Sequence, residues 1–221
     1  MDTSFLKDTQ LFHGIKEKEI KEICGYLRPH ERKYHKYELI FRAGSSVKEF
    51  CIIKSGSVNV VVNLYWGKSI IFGHFSKGDI FAESYAVIPG KELMCDVVAC
   101  EDTEIIFINM NDLFTIFQTK RDYHKSIIHN MLQISAQKNL AMSSRMIHIA
   151  SNSLRERLMS YFSEQALKHG SSHFTIPFNR QQLADYLSVN RSAMSKELSK
   201  MRDDGLIVYH RNEFTLKRFI D

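Results

Sequence analysis

Several hallmarks of membrane and secreted proteins are missing from this chain. No apolar run approaches the roughly 20 residues that span a bilayer. Residues 1–8 lack the basic start and apolar stretch of a secretory signal. The four cysteines, Cys24, Cys51, Cys95 and Cys100, are scattered through 221 residues, unlike a disulfide framework. These absences predict a protein of a reducing cytoplasm that makes no use of a membrane.

Catalytic motifs are missing as well. The sequence has no nucleophile elbow, no glycine-rich phosphate loop and no Cys/His motif of recognisable spacing. A metal-dependent enzyme of the cupin type would need clustered histidines beside a carboxylate, and the nearest pair, His30 and His35, does not have that spacing. We therefore expect no catalytic residue and no metal ligand, and the sequence assigns no cofactor.

The most informative segment that is present covers residues 179–201. Its pattern predicts two short helices around a tight turn, with Asn190 as the N-cap of the second helix. The inward-facing apolar positions are Leu183, Ala184, Leu187, Met194, Leu198 and Met201. The opposite face of the second helix carries Arg191, Ser192, Ser195 and Lys196, which can donate to base edges in a major groove.

Two short β-runs, 206–209 and 213–216, follow a helix stop at Gly205. A helix–turn–helix followed by a hairpin is the winged-helix arrangement. Arg211 at the hairpin tip fits a contact with phosphate, as do the cations that follow the second run, Lys217 and Arg218. Residues 151–221 carry +3 of the net charge of +5, which agrees with a polyanionic partner.

The preceding part of the chain changes character twice. Residues 5–27 have a helical pattern, and residues 31–110 read as short β-runs separated by turns at Gly44, Gly56, Gly67 and Gly78. This spacing is typical of an antiparallel barrel or jelly roll. The sequence therefore predicts a β-domain behind an N-terminal helix.

A long helix is predicted over residues 126–150. Its 4- and 3-residue spacing is that of a two-stranded coiled coil and runs through Ile128, Leu132, Ser135, Asn139, Met142, Met146 and Ile149. A buried Asn139 pair would fix the register of such a dimer. The alternative is a helix that lies along its own barrel.

This order of elements resembles the CRP/FNR superfamily of bacterial transcription regulators. The residues that carry the resemblance are Gly44, Gly56, the segment 78–84 and the segment 180–198. It implies an α+β fold in three parts. These are an effector-sensing β-barrel domain with an N-terminal helix over 1–125, a dimerisation helix over 126–150, and a winged helix–turn–helix domain over 151–221.

The resemblance also implies partners and contacts. A homodimer would bind double-stranded DNA at an inverted repeat, and an activator of this kind would also contact RNA polymerase. Arg180 looks like a phosphate clamp, and Arg191, Ser192 and Lys196 match the base-reading positions; Gln181, Ser195 and Arg211 complete the predicted DNA contacts. Many members have Glu at the position of Ser192, so a different half-site is expected.

The familiar cyclic-nucleotide signature is degraded. Glu83 and Ser84 keep the carboxylate end that contacts the ribose in such members, but residues 85–100 contain no arginine for the cyclic phosphate. The positions of the adenine-contacting hydroxyls hold Leu140 and Ala141. Cyclic AMP is therefore disfavoured as the effector.

We expect instead an unidentified small-molecule effector between the barrel and the long helix. The predicted pocket residues are Phe72, His74, Phe81, Glu83, Ser84, Met94, Asn139 and Met142. Glu83 would either bind a polar ligand or cap the local backbone. Two alternatives remain, an effector-independent DNA-binding protein and a redox-responsive regulator that uses Cys95 and Cys100. Haem ligation by His74 and an iron–sulfur cluster that relies on Cys24 are both disfavoured.

Overall fold

The chain divides into two compact units, Met1–Lys138 and Asn139–Asp221. The structure, a computed structural model, describes residues 4–63, 65, 69–116 and 122–217. Within these ranges, no helix combines the length and the apolar character needed to cross a membrane.

The first unit begins with short helices. They are α1 (Ser4–Lys7), a 3₁₀ turn (Gln10–Phe12) and α2 (Glu17–Leu27). The helical pattern predicted over 5–27 is thus interrupted, and Gly14 redirects the chain with a φ of +76°. The buried stripe of α2, Ile20, Ile23 and Leu27, packs into the apolar core of the unit.

The β-domain that follows is a jelly roll. Its strands are β1 (His30–Tyr34), β2 (Leu39–Phe41), β3 (Glu49–Ser55), β4 (Ser57–Asn63), β5 (Ser69–Ser76), β6 (Ile80–Phe81), β7 (Asp96–Ala99) and β8 (Thr103–Asn109). Among the described residues they form two antiparallel sheets, ordered β1-β8-β3-β6 and β2-β7-β4-β5. The predicted jelly-roll fold is confirmed, with two open sheets in place of a closed barrel.

The central strand β3 shows why these residues form two layers. Phe50 and Ile52 face the helices and belong to one apolar cluster, whereas Cys51 and Ile53 face the second sheet and belong to another. A strand buried on both faces reads as a continuous apolar run instead of alternating with polar residues.

Glycines at the turns take left-handed backbone conformations. Gly44, Gly56 and Gly78 have φ values of +83°, +80° and +88°. At Gly56 the space is also closed, because an added Cβ would lie 2.5 Å from Oγ1 of Thr103. The predicted turn at Gly67 lies outside the described residues.

Three further helices belong to this part of the chain. Helix α3 (Glu83–Ala86) lies between β6 and β7, and α4 (Met110–Ile116) and α5 (Asp122–Ala150) follow β8. One face of α5 packs on the first unit through Ile127 and Asn130. The Asn130 amide donates to the carbonyls of Leu11 and His13, both at 2.9 Å. The predicted coiled-coil stripe lies on the other side. Its apolar members Ile128, Leu132, Met142 and Met146 are exposed.

The second unit has the winged helix–turn–helix fold. Beyond the end of α5 its elements are α6 (Leu154–His169), β9 (His173–Thr175), α7 (Arg180–Tyr186), α8 (Arg191–Asp203), β10 (Ile207–His210) and β11 (Glu213–Leu216). The sheet order is β10-β11-β9. His173 begins β9, which pairs with β11 as the third strand of this sheet.

Candidate nucleic-acid interface and sensor site

Helix α8 is fixed at its start by Asn190, as predicted. The Asn190 Oδ1 atom accepts hydrogen bonds from the backbone N–H groups of Ser192 and Ala193, at 2.8 and 3.3 Å. The apolar side of the helix, Met194, Leu198 and Met201, is buried in the core of the second unit. The register of the helix is therefore set by packing on one side and by a cap at its first turn.

The other side of α8 is exposed and polar. It presents Arg191, Ser192, Ser195 and Lys196, the four residues that were predicted to read bases. The Ser192 hydroxyl donates to the Asn190 side chain at 2.6 Å. The structure thus brings these predicted DNA-contacting side chains together on one accessible face.

The preceding helix α7 holds two of the three remaining predicted contacts, Arg180 and Gln181. The Arg180 guanidinium lies 4.8 Å from the ring centroid of Tyr209 and 5.2 Å from that of Phe214, so it stacks on the wing. Burial lowers the pKa of Arg180 from its ordinary value. The Gln181 amide donates to Asp185 at 3.0 Å. Arg180 therefore has a packing role that the sequence did not indicate.

The wing places Arg211 at its tip. Arg211 is exposed and has a positive φ of 53°, which the turn between β10 and β11 imposes. Lys217 is exposed at the end of β11, and Arg218 lies outside the described residues. The wing therefore offers Arg211 and Lys217 to solvent within the described part of the chain.

Arg155, which no sequence motif marks, forms ion pairs with a residue of α8, the predicted base-reading helix (the reader helix), and with the residue that follows it. Its guanidinium lies 2.6 Å from Glu197 and 2.7 Å from Asp204. Glu197 lies on α8 and Asp204 directly follows it, so the two ion pairs connect the start of α6 to the reader helix. The Glu197 carboxylate is thereby engaged within the protein. The separation of 42 residues between Arg155 and Glu197 leaves no local signal.

The last turns of α5 belong to the second unit, whereas the sequence placed the boundary after residue 150. Arg145 donates to the carbonyls of Asp185 and Tyr186, at 3.0 and 2.8 Å. His148 lies between Ser160 and Glu164 of α6. These bonds attach the end of the long helix to α6 and α7.

The predicted sensor residue Glu83 is buried at the start of α3, only 6% exposed. Lys138 of α5 lies 2.7 Å from Glu83 Oε1 and also donates to the Ile80 carbonyl at 2.7 Å. Its ammonium lies 5.1 Å from the ring centroid of Phe75. Lys138 therefore forms an ion pair with Glu83 within the first unit, a pairing that the sequence did not predict.

The backbone beside Glu83 is held in an unusual conformation. Ala82, which precedes it, has φ 65° and ψ 1° in the left-handed region that normally favours glycine. A non-glycine residue remains in this region only where the surrounding packing enforces it. This conformation turns the chain into α3, of which Glu83 is the first residue.

Among the other predicted pocket residues of the first unit, Ser84 contacts Glu83, whereas Phe72, His74 and Met94 lie at the surface. Phe81 packs between the sheets, and Ser84 is exposed, with its hydroxyl 3.4 Å from Glu83 Oε1. Phe72, His74 and Met94 are exposed, and His74 points away from the face on which Phe75 packs. The remaining two, Asn139 and Met142, belong to the second unit and are exposed.

Cys95 and Cys100 flank strand β7 and face opposite sides of its sheet. Cys95 packs in the core between the sheets, and Cys100 lies 4.0 Å from His74 on the outer side. Five residues of extended chain span roughly 16 Å, whereas a disulfide joins Cα atoms less than about 7 Å apart. Burial raises the pKa of both thiols, which lowers their reactivity.

Clusters of potential metal ligands are absent from the described ranges. These ranges contain no group of three or more histidine, cysteine, aspartate or glutamate side chains that could hold a metal ion.

Both units match known protein families. Residues 31–120 match the family model of the cyclic nucleotide-binding domain, and residues 156–219 match that of the Crp-like helix-turn-helix domain. A curated relative, the CRP-like protein Clp of Xanthomonas campestris pv. campestris (strain B100), is 22% identical over 187 residues, which are 80% of either chain.

Solved structures share the fold. The c-di-GMP responsive global regulator CLP of Xanthomonas campestris superposes with a TM-score of 0.67 at 18% identity, over 92% of this chain and 100% of that one. A CooA mutant from Carboxydothermus hydrogenoformans superposes with a TM-score of 0.69 at 18% identity, over 99% and 93%.

The order of a cyclic nucleotide-binding domain, a long helix and a Crp-like helix–turn–helix is thus present in one chain, with matches to both halves. The chain belongs to the CRP/FNR superfamily of transcription regulators.

Proposed function

We propose that the protein binds DNA as a homodimer at an inverted-repeat site and that a small-molecule effector acting on the first unit controls this binding. The observation that carries the proposal is the exposed face of α8, which presents Arg191, Ser192, Ser195 and Lys196. The opposite face of this helix is buried in the core of the second unit. We place the protein in the cytoplasm and assign it no catalytic activity, since its superfamily consists of regulators.

The chemistry of this face suits a major groove. An arginine or lysine donates to the O6 and N7 acceptors of guanine, and serine bonds to several bases. The exposed wing residues Arg211 and Lys217 supply positive charge for phosphate contacts, which position a protein on DNA without reading sequence. Glu197 is paired with Arg155, so we do not include it among the base-reading residues.

The proposal of a homodimer is supported by the exposed coiled-coil stripe of α5. Leu132 and Met146 are 65% and 70% exposed in the single chain, and they repeat at coiled-coil spacing with Ile128 and Met142. A second copy of the same helix would cover this stripe. Two-fold symmetry then places two reader helices about 34–36 Å apart, one turn of DNA, which requires an inverted repeat.

The effector class differs from cyclic AMP. Glu83 is already paired with Lys138, and no arginine is available in 85–100 for a cyclic phosphate. CLP of Xanthomonas campestris is a c-di-GMP responsive regulator, which supports effector control of a chain with this fold without identifying the effector here. A disulfide between Cys95 and Cys100 is disfavoured by their positions on opposite faces of β7.

Selection of bound fragments from random DNA, with and without a bacterial cell extract, tests this proposal. We expect enriched sequences to be inverted repeats with half-site centres one helical turn apart, and the extract to change the enrichment. Single, asymmetric sites would contradict the dimer. Identical enrichment in both arms would contradict effector control. If the protein activates transcription, RNA polymerase should bind cooperatively with it on the selected site.

A further inference from the structure

Three groups of the first unit converge on one point beside the β-domain. They are the buried carboxylate of Glu83, the backbone carbonyl of Ile80 and the aromatic face of Phe75. The ammonium of Lys138 occupies that point, at 2.7 Å from each oxygen and 5.1 Å from the Phe75 ring centroid.

This set of groups matches the chemistry of a primary ammonium. Such a group has three N–H donors and no acceptor, so a carboxylate and a carbonyl each receive one bond. The face of an aromatic ring attracts the positive charge directly. A quaternary ammonium lacks the N–H donors and would leave the oxygens of Glu83 and Ile80 without hydrogen bonds from it.

Burial of the Glu83–Lys138 ion pair raises the energetic cost of removing the ammonium. The side chain of Glu83 is 7% exposed and that of Lys138 is 29% exposed, so the pair is largely shielded from water. A buried carboxylate that loses its cation is left without charge compensation, which is strongly unfavourable. The site therefore requires a cation when its carboxylate is ionised.

We propose that Glu83, Ile80 and Phe75 form a binding site for a primary ammonium group, and that Lys138 fills this site as an internal ligand. If the Lys138 side chain is truncated, the vacated site takes a small primary alkylammonium ion from solution. This inference concerns the first unit alone and does not depend on DNA binding.

Chemical rescue of Lys138→Ala tests the site. The substitution removes the atoms of an n-propylammonium ion, so propylammonium chloride is the matched probe. We expect the melting temperature to fall by about 5 °C and to rise again with propylammonium at tens of millimolar. Tetramethylammonium chloride at equal ionic strength, which has no N–H donor, should give no such recovery.

Two further variants complete the test. Lys125→Ala, which removes an exposed lysine of the same helix, should neither lower the melting temperature nor respond to propylammonium. The double variant Glu83→Gln with Lys138→Ala should lose the propylammonium response. Equal responses of Lys138→Ala to the two ammonium ions, or an unchanged response in the double variant, would overturn the proposal.

A measurement on the unaltered Lys138 covers the case in which Lys138→Ala does not fold. In the native protein, acetic anhydride should acylate Lys138 at least tenfold more slowly than Lys125. Glu83→Gln should raise the rate at Lys138 and leave that at Lys125 unchanged. Equal rates at the two lysines in the native protein would overturn the assignment of Lys138 as a bound internal ligand.

Discussion

The Nε2 atom of His148 lies 2.6 Å from Oε2 of Glu164, and this contact joins the last turn of α5 to α6. His148 is 3% exposed, and its Nδ1 atom lies 2.8 Å from the Ser160 hydroxyl. Because a carboxylate only accepts, Nε2 carries the proton. The end of the long helix is therefore attached to the DNA-binding unit through polar contacts that depend on an ionised Glu164.

Glu164 should make the stability of the second unit depend on pH. Burial alone would raise the pKa of its carboxyl, but hydrogen bonds from Lys168, Ser144 and His148 hold it down at about 2, against an ordinary value of 4.5. A lowered carboxyl pKa stabilises the folded state above the unfolded value, and this stability is lost as the pH falls from about 5 towards 2.

We expect Glu164→Gln to lower the free energy of unfolding at neutral pH by about 2 kcal/mol, after allowance for partial solvent exposure. The difference from the native protein should shrink steadily as the pH falls below about 5. Urea unfolding followed by circular dichroism at several pH values measures it, with Glu213→Gln, at an exposed strand position, as the control. A difference that does not change with pH would contradict the role of Glu164.

Two glycines with similar backbone angles should respond differently to alanine. Gly56→Ala places a Cβ 2.5 Å from Thr103 Oγ1 and 2.6 Å from the Asp102 carbonyl, whereas Gly44→Ala meets nothing within 4 Å. We expect losses of about 3 kcal/mol and about 1 kcal/mol in the free energy of unfolding, because only the first adds a steric clash to the left-handed strain. Denaturant titration compares them; equal losses would show that the turn at Gly56 relaxes.

A charge on the exposed stripe of α5 should prevent association. Leu132→Glu or Met146→Glu puts two carboxylates in the centre of the proposed helix pair, so we expect a monomer by light scattering at micromolar concentration. Gln133→Glu, on the next position around the helix, should leave the dimer intact. A dimer that persists in both stripe variants would place the interface elsewhere.

Arg191 should determine base preference. We expect Arg191→Ala to weaken binding to a selected site by about 1–3 kcal/mol and to relax preference at one base pair in each half-site. Binding titrations against a panel of single-base variants of that site measure both effects. Unchanged discrimination would mean that the assigned register of α8 on DNA is wrong.

Arg180→Ala should have a different pattern. Its guanidinium stacks on Tyr209 and Phe214, so we expect a loss of about 1 kcal/mol in the stability of the second unit. If Arg180 also clamps a phosphate, binding to all sequences weakens alike and the salt slope falls by about 1. Affinity measured against salt concentration tests this, and an unchanged slope would limit Arg180 to packing on the wing.

The sequence predicted elements whose patterns are local. The buried stripes of α7 and α8 and the cap at Asn190 follow from helical spacing and residue chemistry. Strand β1, His30–Tyr34, lies at the start of the predicted β-region 31–110 but was not recognised as a separate run, because its residues are mostly polar. It forms through backbone pairing with β8.

The sites were harder to predict because their partners are distant in the chain. Glu83 was singled out, but Lys138 lies 55 residues away, and no pattern in the predicted helix 126–150 distinguishes it. On β5, the predicted pocket residue His74 lies on the opposite face from Phe75, and strand alternation in the sequence does not tell which face is inside. The register of β5 also shifts at Phe72, because Val60 of β4 pairs with Gly73 and Val61 pairs with Ile71, which leaves Phe72 as the extra residue of a bulge.

The attachment of Lys138 to the chain sets a threshold for any external ligand of Glu83. A group on a short tether acts at an effective concentration of about millimolar or more. A free amine that makes only the same three contacts must exceed that concentration to compete, so a micromolar metabolite would leave Lys138 in place. A natural competitor would need additional contacts beyond its ammonium, and those contacts would define its selectivity.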